Sequence, residues 1–112
     1  MKYKIVLVPF PFDDLTASKV RPAVCLTDEI KPHSHIVLAF ITSRVSASAS
    51  PTDFVIDSSD ADFTATGLKV SSTIRLHRLM TVTKSIIQRE LGDLSATQRT
   101  EIDNRLRKLF NL

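Results

Sequence analysis

Thr73-Ile74-Arg75-Leu76-His77-Arg78-Leu79-Met80 is strand-like in composition but inconsistent in its alternation. Successive side chains of a strand point to opposite faces, so Ile74 and Leu76 share one side while Arg75 and His77 share the other. Strict continuation puts Arg78 with the apolar pair and Leu79 with the cations. Either Arg78 lies beyond the buried part of its face, or a β-bulge resets the register there. In both cases the stretch is a β-strand that carries Arg75 and His77 on one face.

Other strands stand on either side of it in the sequence. Lys4-Ile5-Val6-Leu7-Val8 is β-branched and apolar, and Pro9 and Pro11 then limit its ladder donors. Pro11 to Arg21 is polar and has neither period, which predicts an exposed loop. Pro22 to Thr27 reads as a second strand with proline at its start, and Ile36 to Thr42 as a third, apolar on both faces and hence central. Ser43 to Pro51 is small and polar, with little to bury. Asp53 to Asp57 is a short strand, followed by an acidic connection with room for a helical turn. Thr66-Gly67-Leu68-Lys69 reads as a turn, and Thr81 to Glu90 extends or bends the sheet around Ile86 and Ile87.

The C-terminal segment switches period. Ser95 is followed three residues later by Gln98, the capping-box pattern. Ile102, Leu106, Leu109 and Phe110 then fall on one helical stripe, and Arg105, Arg107 and Lys108 complement the dipole near the C-terminus. Five or six short strands closed by one helix predict a mainly β domain spanning residues 1–112, with a small, strongly curved sheet or barrel.

Composition narrows the function. A chain of 112 residues suits one domain, and 43% apolar with 24% charged residues is a soluble, globular balance. No apolar run is long enough to span a bilayer. The N-terminus has no secretory cleavage pattern, and a lone Cys25 forms no intrachain disulfide, so a cytoplasmic protein is expected. Two glycines, Gly67 and Gly92, leave no Walker loop and no dinucleotide fingerprint, so no cofactor is expected. A net charge of +3 permits a polyanionic partner or an acidic protein, and seven aromatics without Trp argue against a broad base-stacking platform.

One constellation has chemical content. Arg75 and His77, two apart on a strand, lie roughly 6–7 Å apart and can reach one phosphate. RNA is cut without a metal when a base takes the 2′-OH proton, an acid protonates the leaving 5′-oxygen and a cation stabilises the phosphorane. Histidine titrates near neutrality and serves either proton role; arginine supplies bidentate donors to phosphate oxygens. Arg21 stands where the polar loop meets a strand, and Thr42-Ser43-Arg44 end the central strand with hydroxyls and a cation. Taken singly, each of these is equally a surface or turn residue. His33 and His35 lack further zinc ligands, and Asp57, Asp60 and Asp62 lack the glycine and glutamate of a calcium loop, so no metal site is expected. Cys25 reads as core filling.

Taken in order, these segments resemble the PemK/MazF toxin family. The resemblance rests on Ile5-Val6-Leu7-Val8-Pro9-Phe10-Pro11-Phe12-Asp13-Asp14-Leu15, Ser18-Lys19-Val20-Arg21-Pro22-Ala23 and Phe40-Ile41-Thr42-Ser43. It continues through Gly67-Leu68-Lys69, Ser72-Thr73-Ile74-Arg75-Leu76 and Leu91-Gly92-Asp93-Leu94-Ser95. It implies a partly open SH3-like barrel with a C-terminal helix, a homodimer, and a metal-independent endoribonuclease that cuts single-stranded mRNA without the ribosome. It also implies an antitoxin whose acidic and apolar segment occupies the RNA groove, and operator DNA bound only together with that antitoxin. Arg21 resembles the arginine acting on the scissile phosphate and Thr42 the threonine beside it; Arg75 matches an arginine of the same site. Many members carry an acidic residue where His77 stands, so this sequence departs from the pattern there: either His77 is the proton carrier in its place, or the position is non-catalytic here. Tyr3-Lys4 replaces the family's usual Gly-Asp before the first strand. Lys19, Ser43, Arg44 and Arg75 are the expected RNA contacts, with the loops Phe12–Arg21 and Ser43–Pro51 bordering the groove. The readings from other classes are an inhibitory binding protein on the same scaffold, of the gyrase-poisoning kind, and a degenerate member that binds only antitoxin and operator DNA.

Overall fold

The computed structural model describes residues 1–9, 19–45 and 50–112. Residues 10–18 and 46–49, which hold most of the first expected loop and part of the second, lie outside the described residues.

Six strands, β1 (Lys4–Pro9), β2 (Val20–Cys25), β3 (His35–Thr42), β4 (Asp53–Ile56), β5 (Ser72–Thr83) and β6 (Arg89–Asp93), form one antiparallel sheet in the order β4-β5-β3-β2-β1-β6. The chain closes with helix α1 (Ala96–Phe110). The sheet is curled and apolar on both faces. Ile5, Val24, Ala39, Ile41, Ile74 and Leu76 pack with Leu94 and Ile102 on the helix side. Val6, Val8, Ala23, Cys25, Ile36, Leu38, Phe40 and Val82 form a second cluster on the other face, joined by Met1, Met80, Ile86 and Ile87. This is why β3 is apolar at nearly every position. Cys25 is fully buried in the second cluster, and that burial pushes its thiol up to about 11.

The register conflict in β5 is resolved by a bulge. Ala39 pairs with Leu79, but its neighbour Phe40 pairs with Arg75, so Leu76, His77 and Arg78 are extra residues facing no partner on β3. An odd insertion reverses the parity of the strand. Leu79 thereby joins Ile74 and Leu76 on the helix side, while Met80 and Val82 reach the opposite cluster. Arg78 is released to the surface.

Several boundaries differ from the sequence pattern. β2 begins at Val20 instead of Pro22, which sits opposite Leu7. β3 joins β2 only from Ala23, so the missing donor of Pro22 falls where one flank is unpaired. The expected helical turn is a 3-10 turn over Thr64–Thr66, closed by Gly67 at φ 73°. Between β5 and β6 a second 3-10 turn, Lys84–Ile86, bends the chain within the stretch that the sequence reads as extending or bending the sheet. In α1 both halves of the capping box form: Gln98 N–H donates to Ser95 Oγ at 3.1 Å, and Ser95 N–H donates to Gln98 Oε1 at 2.8 Å. Ile102 is buried and Leu106 packs against the core, but Phe110 is 54% exposed, so the apolar stripe ends before it. Arg105 leaves the dipole pattern to pair with Glu101, donate to the Asp53 carbonyl at 3.1 Å and cover the Phe54 ring. No helix among the described residues is long and apolar enough to cross a membrane.

Candidate active site

Two adjacent rungs of the sheet build the site. Val6, Ala23, Phe40, Arg75 and Asp53 are successive partners across β1, β2, β3, β5 and β4. Ala23 and Phe40 belong to the cluster on the face away from the helix, so Arg75 and Asp53 emerge on that face too. Two residues along, Val8 pairs with Arg21, and Thr42 pairs with Thr73. Continuing the Ala23–Phe40 register by two residues sets Arg21 opposite Thr42. Rungs of one face lie about 7 Å apart and strands about 4.8 Å apart, so Arg21, Thr42 and Arg75 surround an area the size of one phosphodiester.

A cleft of about 470 Å³ occupies this place, lined by Arg21, Phe40, Ile41, Thr42, Ser43, Arg44, Arg75 and Arg78. Among the described residues four arginines and no carboxylate line it, which makes it a site for an anion. Arg44 is fixed through its backbone. Its N–H donates to Thr42 Oγ1 at 3.2 Å, and its carbonyl accepts from Thr73 Oγ1 at 2.9 Å. The hydroxyl of Thr42 is the acceptor in that bond, and among the described residues it donates to no protein group.

Five of the seven residues expected from sequence, Arg21, Thr42, Ser43, Arg44 and Arg75, meet in this cleft. His77 does not line it, although it stands on the bulge between Arg75 and Arg78, which both do. Its Nδ1 lies 3.7 Å from Oδ1 of Asp53. Lys19 is exposed just before β2 and outside the lining. Sequence reasoning missed two residues. Arg78 was visible as the residue that broke the alternation. Asp53 carried no local signal, because only the β4–β5 register brings it opposite Arg75.

A second cleft of about 370 Å³ meets the first at Arg21, Ile41 and Ser43. Its walls are apolar (Leu7, Val20, Pro22, Leu68, Val70, Leu91), with Lys69 and Arg89 among them. Among the described residues no group of three or more His, Cys, Asp or Glu side chains is placed to hold a metal ion.

Comparison with solved structures agrees with this architecture. The Mycobacterium tuberculosis toxin MazF-mt6 superposes with a TM-score of 0.74 at 23% identity, covering 97% of both chains. An endoribonuclease in complex with its cognate antitoxin from a Mycobacterial species gives 0.72 at 15% identity, over 100% of this chain and 95% of that one. MazE-MazF from Deinococcus radiodurans gives 0.70 at 16%, over 99% and 94%. A search of curated proteins finds no match. Residues 1–110 match the family described as PemK-like, MazF-like toxin of type II toxin-antitoxin system, and the chain belongs to that family.

Proposed function

We propose that this toxin is an endoribonuclease that cuts single-stranded RNA through attack of the 2′-hydroxyl on the adjacent phosphate. The observation that carries the reading is the convergence of Arg21, Thr42, Arg44, Arg75 and Arg78 on one cleft. As the 2′-oxygen bonds to phosphorus, its proton passes to a base and negative charge builds on the phosphorane oxygens. Arg21 and Arg75 meet that charge with fixed donors, and the free proton of Thr42 bonds one of the oxygens. The P–O5′ bond then breaks as the 5′-oxygen takes a proton, leaving a 2′,3′-cyclic phosphate and a 5′-hydroxyl. His77, on the bulge between two lining arginines, is the proton carrier. The arginines supply the charge stabilisation, so the reaction proceeds without a metal.

The same surface suits the antitoxin. An extended segment with acidic and apolar residues would place carboxylates among the arginines of the first cleft and side chains in the second. Solved relatives include an endoribonuclease described as in complex with its cognate antitoxin, which supports this partner. We assign the family's homodimer to this chain on the same resemblance.

The test is cleavage of a mixed-sequence single-stranded RNA in EDTA, beside Arg21→Ala. Cuts by the parent with cyclic phosphate ends, and a loss of about 10²–10³-fold in the variant, are expected. Equal cleavage by Arg21→Ala overturns the assignment. No cuts by folded parent between about pH 5 and 8, the range in which histidine changes charge, replace it with a binding role.

A further inference from the structure

The side chain of Asp53 is only 7% exposed, and its two oxygens have different surroundings. Oδ2 accepts from the backbone N–H of Ser50 at 3.2 Å. Oδ1 is buried and makes no hydrogen bond among the described residues. Two side-chain nitrogens approach it, Nδ1 of His77 at 3.7 Å and Nε of Arg75 at 3.9 Å, both beyond hydrogen-bond length. Asp53 itself is firmly held. Its backbone pairs with Arg75 in the sheet, and its carbonyl accepts from Arg105 Nε. The side chains of Arg75 and His77 are equally exposed, 41% and 40%, and Nε of Arg75 is likewise buried without a hydrogen bond among the described residues. The backbone separates them: Arg75 is paired on both flanks, to Phe40 and to Asp53, whereas His77 stands on the bulge opposite no residue of β3, so His77 is the partner with freedom to close the gap.

A buried carboxylate oxygen without a donor is more costly than a neutral unsatisfied group, and this one faces an imidazole. A carboxylate only accepts, so whatever closes on Oδ1 must bring a proton. A neutral imidazole carries a single N–H, and the bond made by one ring nitrogen fixes the role of the other. We propose that Asp53 is a positioning residue for His77: its buried Oδ1 receives the Nδ1–H and thereby leaves Nε2 as the atom that exchanges a proton with the RNA. The inference rests on the ribonuclease reading above. It adds a carboxylate that acts from the neighbouring strand, through the histidine and without touching substrate.

The test combines ring spectroscopy with a double-mutant cycle on the full chain. In wild-type protein, ¹⁵N spectra of neutral His77 should show the Nδ1–H tautomer, and Asp53→Asn should abolish that preference. An Nε2–H tautomer in wild type overturns the proposal, and this arm needs no variant to fold. In single-turnover cleavage, Asp53→Asn should lower the maximal rate by about 10- to 100-fold, part of the roughly 10²–10⁴-fold that a placed acid–base group contributes, with half-saturation changed less than about twofold. In a His77→Gln background the same substitution should change the rate by less than about twofold. An equal loss in both backgrounds overturns the proposal, because Asp53 would then act through Arg75 or the fold. If the parent cuts no RNA, the ribonuclease reading falls and the proton-transfer role with it, while the spectra still decide whether the pair exists.

Discussion

Thr42 and Thr73 stand opposite each other on β3 and β5, and between them they hold both ends of one residue's backbone. Thr42 accepts from the N–H of Arg44 and Thr73 donates to its carbonyl. The proton of Thr73 is committed and its side chain is buried, whereas Thr42 is half-buried with its proton available. One threonine is therefore structural, and its partner lines the cleft. Thr73→Val should cost about 1 kcal/mol of stability by leaving a carbonyl unpaired, and cleavage should fall as Arg44 loses its position. Thr42→Val should leave stability within about 0.5 kcal/mol, because the Arg44 N–H is exposed to water, yet cleavage should drop about tenfold and return in Thr42→Ser. Denaturant melts beside rate measurements check both; a Thr42→Val enzyme with parental rate removes Thr42 from the reaction.

On the proposed ribonuclease reading, the four arginines that line the cleft among the described residues make RNA binding a salt-dependent equilibrium. For single strands the logarithm of affinity falls with the logarithm of salt by about 0.7 per phosphate contact. With a 2′-O-methyl RNA, which cannot react, Arg44→Ala should reduce that slope by about 0.7 and weaken binding across sequences. Lys19 lies outside the lining, so Lys19→Ala should leave the slope near the parental value. A matching drop for Lys19 would show that the RNA path extends beyond the cleft.

Gly67 and Gly92 close the junction between the 3-10 turn and β6. A Cβ on Gly67 would stand 2.1 Å from the Leu91 carbonyl oxygen, and one on Gly92 would stand 2.2 Å from that of Ala65. Both obstacles are backbone, so neither can rotate away, and Gly67 also holds a φ of 73°. Gly92→Ala and Gly67→Ala should each destabilise by at least about 2 kcal/mol, at the upper end of overpacking costs. The double variant should lose less than the sum, since one displacement of the turn relieves both contacts. Urea midpoints measure this; a neutral Gly92→Ala would mean that the turn separates from β6 at little cost.

The sequence made visible whatever depended on local rules. Ser95 and Gln98 announced the helix start because capping is a property of four consecutive residues. The conflict between Ile74, Leu76 and Arg78 announced the bulge because side-chain alternation is local. The bulge's length was not legible, since it is set by pairing with β3, more than thirty residues upstream in the chain. Phe110 continued the apolar spacing, yet nothing in the helix itself says where the sheet beneath it ends. Arg21, Thr42 and Arg75 could be named singly, but their meeting depends on registers among three strands. Asp53 shows the limit most plainly: an aspartate that opens a short strand carries no sign of a site until β4 is laid against β5.

Acid should weaken the fold through carboxylates far from the site. The Ser34 hydroxyl, donating at 2.9 Å, and then Lys84 hold the Glu29 carboxyl below its usual range. The Lys2 backbone N–H and then the N-terminal ammonium do the same for Asp28. A carboxyl whose folded pKa lies below its unfolded value binds fewer protons when folded, so the unfolded state gains as pH falls. These contributions are therefore fully present above the unfolded pKa, about 4–4.5 for such groups, and disappear as pH falls through the lower folded values. Tm should decline across that acid window, and Glu29→Gln and Asp28→Asn should each flatten the decline. Each variant should melt below the parent at pH 7 and converge with it at the acid end. A gap between parent and variant that persists undiminished in acid would mean that these side chains act through packing, and that their charge contributes nothing to the fold.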